Sequence, residues 1–265
     1  MLPILIASIL IPKLDLLFVV LAVAAIVIAL FEFWMLAKKQ QIKVDVAAGY
    51  LGTAGLLTLL YFTEPGRWID FGMILGVILL LTIGSLSAAM LRGAPFEKMI
   101  ASVGATVLGV LYIALLGGHL IAVRVGFAAP LSRHLLAFFF LVIMSADVAA
   151  FYGGRMFGRH KLAASISPGK TWEGAIAGMM MSLLMAALAH FWFFPELPLK
   201  FALPLAALMN LLSVVGDLTE SALKRSVGAK DTAKILPGHG GVLDRIDSLL
   251  FNAPVIYYFA RLYFK

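Results

Sequence analysis

The chain has 265 residues, of which 62% are hydrophobic and 13% are charged, and it contains no cysteine. Soluble domains usually have about a quarter of their residues charged, so the composition excludes an ordinary soluble protein. The absence of cysteine excludes a disulfide framework and thiolate chemistry. The formal net charge of +7 suits anionic lipid surfaces and anionic substrates. It does not favour nucleic acid as a partner, because the cations lie between apolar runs.

Apolar runs that can cross a bilayer recur along the whole chain. A helix needs about 20 apolar residues to cross the hydrocarbon core. A short apolar piece at 2–12 predicts a half-helix or a ninth span, and the glycine-interrupted segment 118–131 is compatible with a re-entrant segment. We predict an all-α, polytopic helical integral membrane protein, a single membrane domain (1–265) with about eight or nine transmembrane helices. The eight main runs are 15–37, 46–62, 71–90, 99–117, 135–152, 174–194, 201–222 and 248–263.

Basic residues concentrate in alternate loops. The loops after the first, third, fifth and seventh runs carry most of the lysine and arginine, whereas the loops at 63–70 and 195–200 are poorer. By the positive-inside rule the basic loops are cytoplasmic, although Arg124 and Arg133 fall on the other side. The pattern predicts a multi-pass protein, of the inner membrane in a bacterium, with its active site facing the cytoplasm.

An acidic residue, Asp147, interrupts the fifth run. An ionisable group inside a span is a functional candidate, and the alternative is a structural partner for Arg155. Farther along, Gly169-Lys170-Thr171 is similar to part of a phosphate-binding loop, but the first glycine of that motif would fall at Ala164, and no strand precedes it. Glu32, inside the first span, is another buried acid whose role stays open.

The densest charge cluster lies between the last two predicted spans. Five of the 14 carboxylates and five lysines or arginines fall within 217–247. Asp217, Ser221 and Lys224 share one helical face, and Asp244 and Asp247 share another at the start of the last span. Taken alone, each set is compatible with side chains that snorkel to the interface, or with acids that the helix dipole stabilises at a helix N-terminus. Together they indicate oxygen ligands for Mg²⁺ beside cations for a nucleotide phosphate.

Glycines and lysines fill the connection between these two helices. Glycine lets the backbone turn tightly and approach a ligand, and the N–H groups of such turns bind phosphates. A flexible cytoplasmic loop would have a similar composition. The phosphate-binding interpretation of this segment therefore depends on the acids that flank it. The segment includes Lys230, Asp231, Lys234, His239, Gly240 and Gly241.

The run from Ser221 to Asp247 resembles the signature of the phosphatidate cytidylyltransferases (CDP-diacylglycerol synthases), without a departure over its 27 residues. Two upstream runs, Asp147–Gly158 and Ser167–Gly174, resemble the same family, with Phe151 where the family has tyrosine. The resemblance covers residues 140–255 most clearly. It implies a membrane enzyme of phospholipid biosynthesis that transfers the cytidylyl group of CTP to phosphatidic acid, giving CDP-diacylglycerol and pyrophosphate.

The resemblance also implies Mg²⁺, or Mn²⁺, held by Asp217 and Asp244, and a homodimer among membrane lipids. In-line transfer at the α-phosphorus asks mainly for positioning and charge neutralisation. We therefore assign catalytic roles to Asp217, Asp244, Asp247, Lys224 and Lys230, within a catalytic part at 135–265 that follows N-terminal spans at 1–134. Substrate binding is assigned to Ser221, Arg225, Asp231, Lys234, His239, Gly240, Gly241, Arg245, Asp147, Arg155 and Lys170.

Two other functions stay open at this point. A CTP-dependent lipid kinase would share the metal and nucleotide parts but would direct attack at the γ-phosphate. A transporter with an anion site would fit buried acids such as Asp147 and Glu32. It explains the charges at 224–247 poorly, because they lie outside the centre of the bilayer.

Overall fold

A computed structural model describes residues 2–65, 67–93, 96–229, 232 and 240–264. Within these ranges a two-stranded antiparallel hairpin, β1 (Lys161–Ala163) and β2 (Ser167–Thr171), lies between two long helices. The helices are α1 (Leu2–Leu10), α2 (Asp15–Lys39), α3 (Val46–Tyr61), α4 (Phe71–Leu91), α5 (Met99–Gly109), α6 (Leu116–Val125), α7 (Ala129–Phe157), α8 (Trp172–Trp192), α9 (Leu199–Ser226) and α10 (Leu243–Tyr263).

Six of the described helical stretches are long and apolar enough to cross a membrane. The shorter α3 and the more polar α10 coincide with the two other predicted spans, and α1 coincides with the short piece at 2–12. These helices confirm the predicted all-α polytopic membrane fold, to which the hairpin is a small addition. The six stretches are Pro12–Lys39, Phe71–Leu91, Met99–Val125, Ala129–Phe157, Trp172–Trp192 and Leu199–Ser226.

The prediction that 118–131 could form a re-entrant segment is wrong. Helices α5 and α6 form one continuous stretch through a π-helical turn at Val110–Leu115. Gly118 does not break this helix but lets it approach α3, because a Cβ there would lie 2.5 Å from Leu60 Cδ1. A continuous helix also satisfies the backbone hydrogen bonds that a bilayer cannot supply.

Arg124, the cation that opposed the charge pattern, is buried at the end of α6. Its guanidinium pairs with Asp15 at the start of α2 and donates to the carbonyl oxygens of Ser8 and Ile9, each at 3.3 Å. A buried cation needs such partners, since desolvation otherwise disfavours its charge. Arg124 therefore fastens α1 and α2 to α6 rather than marking a loop.

Close contacts between small residues bring the ends of α7 to α10 together. An added Cβ at Gly153 in α7 would lie 2.5 Å from the Cβ of Ala177 in α8. At Gly216 in α9 it would lie 2.7 Å from the carbonyl oxygen of Asp247 in α10. Small residues let membrane helices approach closely. The Gly216 contact places Asp217 beside the first turns of α10.

Candidate active site

The first ion pair of the site joins the hairpin to α9. Lys170 in β2 places its Nζ 2.7 Å from Asp217 Oδ2, and Ser221 Oγ donates to Asp217 Oδ1 at 3.4 Å. Thr171, the next residue, caps α8 by accepting a hydrogen bond from Gly174 N at 3.2 Å. The strand and the cap thus hold Lys170 over α9, and Asp217 stays 43% exposed.

The second ion pair joins α9 to α10. Lys224 Nζ lies 2.6 Å from Glu220 Oε2 and 2.8 Å from Asp244 Oδ1. The side chains of Lys224 and Glu220 are only 13% and 1% exposed. Removing one partner of a buried pair leaves the other charge without compensation. Lys224 therefore compensates two acids at once, one from each helix.

The second oxygen of Asp244 holds the turn that precedes α10. Asp244 Oδ2 accepts hydrogen bonds from Gly241 N at 2.7 Å and from Thr232 Oγ1 at 3.0 Å. Gly240 has a φ of 77°, in the left-handed region that favours glycine. A Cβ there would also lie 2.9 Å from Asp244 Oδ2. Two of the predicted glycines thus allow the backbone to close around this carboxylate.

The intramembrane acid of α7 faces the start of α10. Ser248 Oγ donates to Asp147 Oδ2 at 3.3 Å, and Ser248 N donates to Asp247 Oδ1 at 2.7 Å. Among the described residues Asp147 is hydrogen-bonded to Ser248 and forms no ion pair with Arg155, so the sequence alternative of a structural Arg155 pair is not observed. Asp247 is buried.

The remaining predicted residues divide into three groups. Arg225 donates to the carbonyl oxygens of Ile166 at 3.3 Å and Ala229 at 3.2 Å, so here it fastens the hairpin turn to the end of α9. Arg155 and Arg245 lie on exposed parts of α7 and α10. Outside the described residues lie Lys230, Asp231, Lys234 and His239.

Asp217 and Asp244 are oxygen donors of the kind that Mg²⁺ accepts. No group of three His, Cys, Asp or Glu side chains in the described ranges could hold a metal ion. Mg²⁺ is usually bound by one or two carboxylates together with substrate phosphates and water. Asp217 and Asp244 supply such oxygens, and each is now paired with a lysine ammonium, a cation that can itself bind phosphate.

Comparison with known proteins assigns the chain to a family. The family model described as the cytidylyltransferase family matches residues 1–263. The chain belongs to the cytidylyltransferase family. Among curated proteins named phosphatidate cytidylyltransferase, that of Bacillus subtilis is 31% identical over 258 residues, which cover 93% of this chain and 89% of the relative.

Two other relatives have a higher sequence identity to this chain over a shorter region. The Haemophilus influenzae protein is 43% identical over 129 residues, which cover 47% of this chain and 45% of the relative. The Brucella suis protein is 42% identical over 139 residues, which cover 51% and 49%. In these two alignments the chain spans about half the length of the relative. Both carry the name phosphatidate cytidylyltransferase.

Three residues of this cytidylyltransferase site were not assigned from the sequence. Glu220 lies four residues before Lys224, a spacing that pairs side chains on a helix and that could have identified it. Thr232 has no distinguishing sequence signal. Glu32 was noted as a buried acid, and its contacts with the turn before α10 depend on the tertiary fold.

We expect Lys224→Met to destabilise the folded protein far more than Lys170→Met. The first change leaves buried Glu220 without its ammonium, at a cost of about 3–5 kcal/mol, whereas Asp217 is partly exposed and its pair with Lys170 contributes about 0–1 kcal/mol. Thermal unfolding of the purified variants in detergent measures the difference. Adding Glu220→Gln to Lys224→Met should restore part of the loss, and equal losses in the two lysine variants would contradict the pairing.

Proposed function

We propose that this protein transfers the cytidylyl group of CTP to phosphatidic acid, giving CDP-diacylglycerol and pyrophosphate. One observation supports this most directly: two carboxylates on neighbouring helices, Asp217 within α9 and Asp244 in the first turn of α10, are each paired with a lysine. A triphosphate and a metal can replace both pairings at once, since phosphate attracts the ammonium groups and the metal takes the carboxylates. The names of the relatives agree with this reaction.

The chain's own residues would mainly position charged groups around the substrates. In the reaction an oxygen of the lipid phosphate forms a bond to the α-phosphorus of CTP, and the bond from that phosphorus to the bridging oxygen of pyrophosphate breaks. Lys170 and Lys224 would bind phosphate oxygens, and Asp217 and Asp244 would hold the Mg²⁺ or Mn²⁺. When bound, the metal neutralises charge on the triphosphate. The lipid phosphate is already ionised, so the site needs no strong general base.

The two alternatives fit less well. A transporter would carry its charged site near the bilayer midplane. Here Lys224 lies in the last turn of α9 and Asp244 in the first turn of α10. A CTP-dependent lipid kinase would use the same groups, and the reaction assay described next separates it from a cytidylyltransferase.

We expect label from α-phosphate-labelled CTP to enter the lipid fraction when purified protein is supplied with phosphatidic acid. Label from the γ-phosphate should appear in pyrophosphate alone, because the β,γ-diphosphate is the leaving group. Thin-layer chromatography of extracted lipid measures both. Lipid labelled only from the γ-phosphate would indicate a kinase, and unlabelled lipid in both arms would refute nucleotidyl transfer.

We expect Asp217→Asn and Asp244→Asn each to abolish turnover, because an amide preserves shape but loses the charge that a hard cation requires. The loss of charge neutralisation should cost several kcal/mol of activation free energy, or roughly a thousandfold or more in kcat. The measurement is the α-label assay on protein stripped with EDTA and then supplied with Mg²⁺, Mn²⁺ or Ca²⁺.

In the wild type, Mg²⁺ or Mn²⁺ should restore the rate after EDTA treatment, and Ca²⁺ should restore little. Wild-type rates in either asparagine variant, or full activity without added metal, would contradict the assignment. Size-exclusion chromatography of each variant checks that the protein remains folded, and the same experiment tests the predicted homodimer.

The proposed site faces the cytoplasm of a bacterial inner membrane, at headgroup depth. CTP is a soluble polyanion and arrives from water, whereas phosphatidic acid offers only its phosphate at the interface. Lys224 and Arg225 in the last turn of α9, together with Lys170 beside Asp217, make this end of the helix the basic one, and the sequence that follows adds Lys230 and Lys234. Both substrates would therefore meet on that side.

We expect Ser226→Cys and Lys200→Cys to react with membrane-impermeant maleimide from opposite sides. These exposed positions lie near the two ends of α9, and the wild type has no competing cysteine. In right-side-out vesicles Lys200→Cys should be labelled at once and Ser226→Cys only after permeabilisation. The reverse pattern would overturn the proposed orientation, and labelling of both in intact vesicles would show that α9 does not separate two compartments.

A further inference from the structure

A carboxylate from the N-terminal half of the chain reaches the turn before α10. Glu32 lies in α2 and is fully buried. Its Oε1 accepts a hydrogen bond from Val242 N at 2.9 Å, and its Oε2 accepts one from Leu243 N at 2.7 Å. These donors are about 210 residues away along the chain, so the contact exists only in the folded protein.

These hydrogen bonds replace a missing helix cap. The first N–H groups of a helix have no partner within it, and a side chain usually supplies one. Val242, the N-cap residue of α10, makes no capping side-chain hydrogen bond. Glu32 supplies that acceptor from another helix, and its negative charge lies at the end of the helix dipole that favours it. The N–H donors in turn compensate the buried carboxylate.

The same turn carries the proposed metal ligand. Gly241 N donates to Asp244 Oδ2, while the next two N–H groups donate to Glu32. Thr232 Oγ1 lies between the carboxylates, 3.0 Å from Asp244 Oδ2 and 3.4 Å from Glu32 Oε2. Three consecutive backbone N–H groups are therefore divided between the two acids, which fixes the position of each relative to the other.

We propose that Glu32 is a positioning residue that holds the start of α10, and with it Asp244, in the geometry required for cytidylyl transfer. Its effect on catalysis rests on the proposed function, whereas its effect on the turn does not. Glu32 acts through the backbone of Val242 and Leu243. A displacement of about 1 Å at a reacting group can lower a rate roughly a hundredfold, so a distant clamp of this kind can matter for turnover.

Amide hydrogen exchange tests the clamp directly. Glu32→Gln keeps the size of the side chain but directs an amide N–H₂ at one of the two backbone donors. In the purified variant we expect the amides of Val242 and Leu243 to exchange at least about tenfold faster than in the wild type. Glu196→Gln is the matched control, the same acid-to-amide change at a carboxylate that is 57% exposed beside His134, and it should leave these amides unchanged.

Kinetics separate positioning from simple loss of stability. Glu32→Gln should lower kcat for cytidylyl transfer by about tenfold to a hundredfold while the KM values for CTP and phosphatidic acid stay within about threefold. A purely structural role would lower the amount of folded enzyme without changing the metal requirement of the folded fraction. The variant should instead need more Mg²⁺ for its half-maximal rate, because Asp244 is displaced. Wild-type exchange together with wild-type kcat would overturn the proposal.

A second variant keeps the test decisive if Glu32→Gln does not fold. Gly241→Ala disturbs the same contact from the other side, since its Cβ would clash with Thr232 Oγ1 and lie 2.6 Å from Glu32 Oε2. The same faster exchange and lower kcat are expected, and wild-type values of both would count against the clamp. Amide exchange needs no substrate. It therefore tests the contact of Glu32 with Val242 and Leu243 even if the labelled-CTP assay on the wild type refutes the proposed reaction.

Discussion

The compensation of buried carboxylates is the constraint on which the arrangement of α2, α9 and α10 depends. Glu32 and Glu220 are almost completely removed from solvent, where an uncompensated charge would cost several kcal/mol. The two are compensated differently. Glu220 lies against the ammonium of Lys224, whereas Glu32 accepts from the backbone N–H groups that begin α10. Both solutions involve Asp244 or the turn before it, so the two acids are connected through the start of α10.

Close helix packing makes this network possible. The Gly216 contact brings the backbone of α9 against the carbonyl of Asp247, which shortens the distance that charged side chains must span between the helices. In a bilayer, helices gain little from hydrophobic burial against each other, and small residues at the contact compensate through close packing. Gly216, which permits this approach, directly precedes Asp217, so a packing residue and a proposed site residue are neighbours in the chain.

The hairpin and the last turn of α9 show how the fold separates binding groups from supporting groups. Lys170 and Arg225 looked equivalent as cations of a phosphate site. In the folded chain Lys170 pairs with a partly exposed carboxylate, where an incoming phosphate can compete for it. Arg225 donates to two backbone carbonyls that connect the hairpin turn with the end of α9. Arg225 therefore has a structural role, because its release would leave those two carbonyl oxygens without the hydrogen-bond donor that it supplies.

Local patterns predicted much of the fold. The lengths of the apolar runs located α2 to α4, α8 and α9 within a few residues, because a bilayer imposes a minimum length on each span, whereas α7 extends beyond its predicted run at both ends. The segment 118–131 was misread because Gly117 and Gly118 look like breaks when their neighbours are unknown. In the structure Gly118 meets Leu60 of α3, so its small size serves a tertiary contact. Arg124 was misleading for the same reason, since Asp15 compensates it inside the protein.

The sequence by itself determined the class of the protein, a polytopic membrane chain, and the concentration of acids and cations in the 217–247 window. Both follow from short-range rules, namely span length, helical spacing and the clustering of acids with cations. Only the tertiary structure decided that Lys170 meets Asp217, that Lys224 bridges two acids, and that Glu32 caps α10. Helical periodicity specifies which side chains share a face of one helix. It contains no information about which face of a distant helix will pack against that face, and this choice depends on the summed packing of the whole bundle.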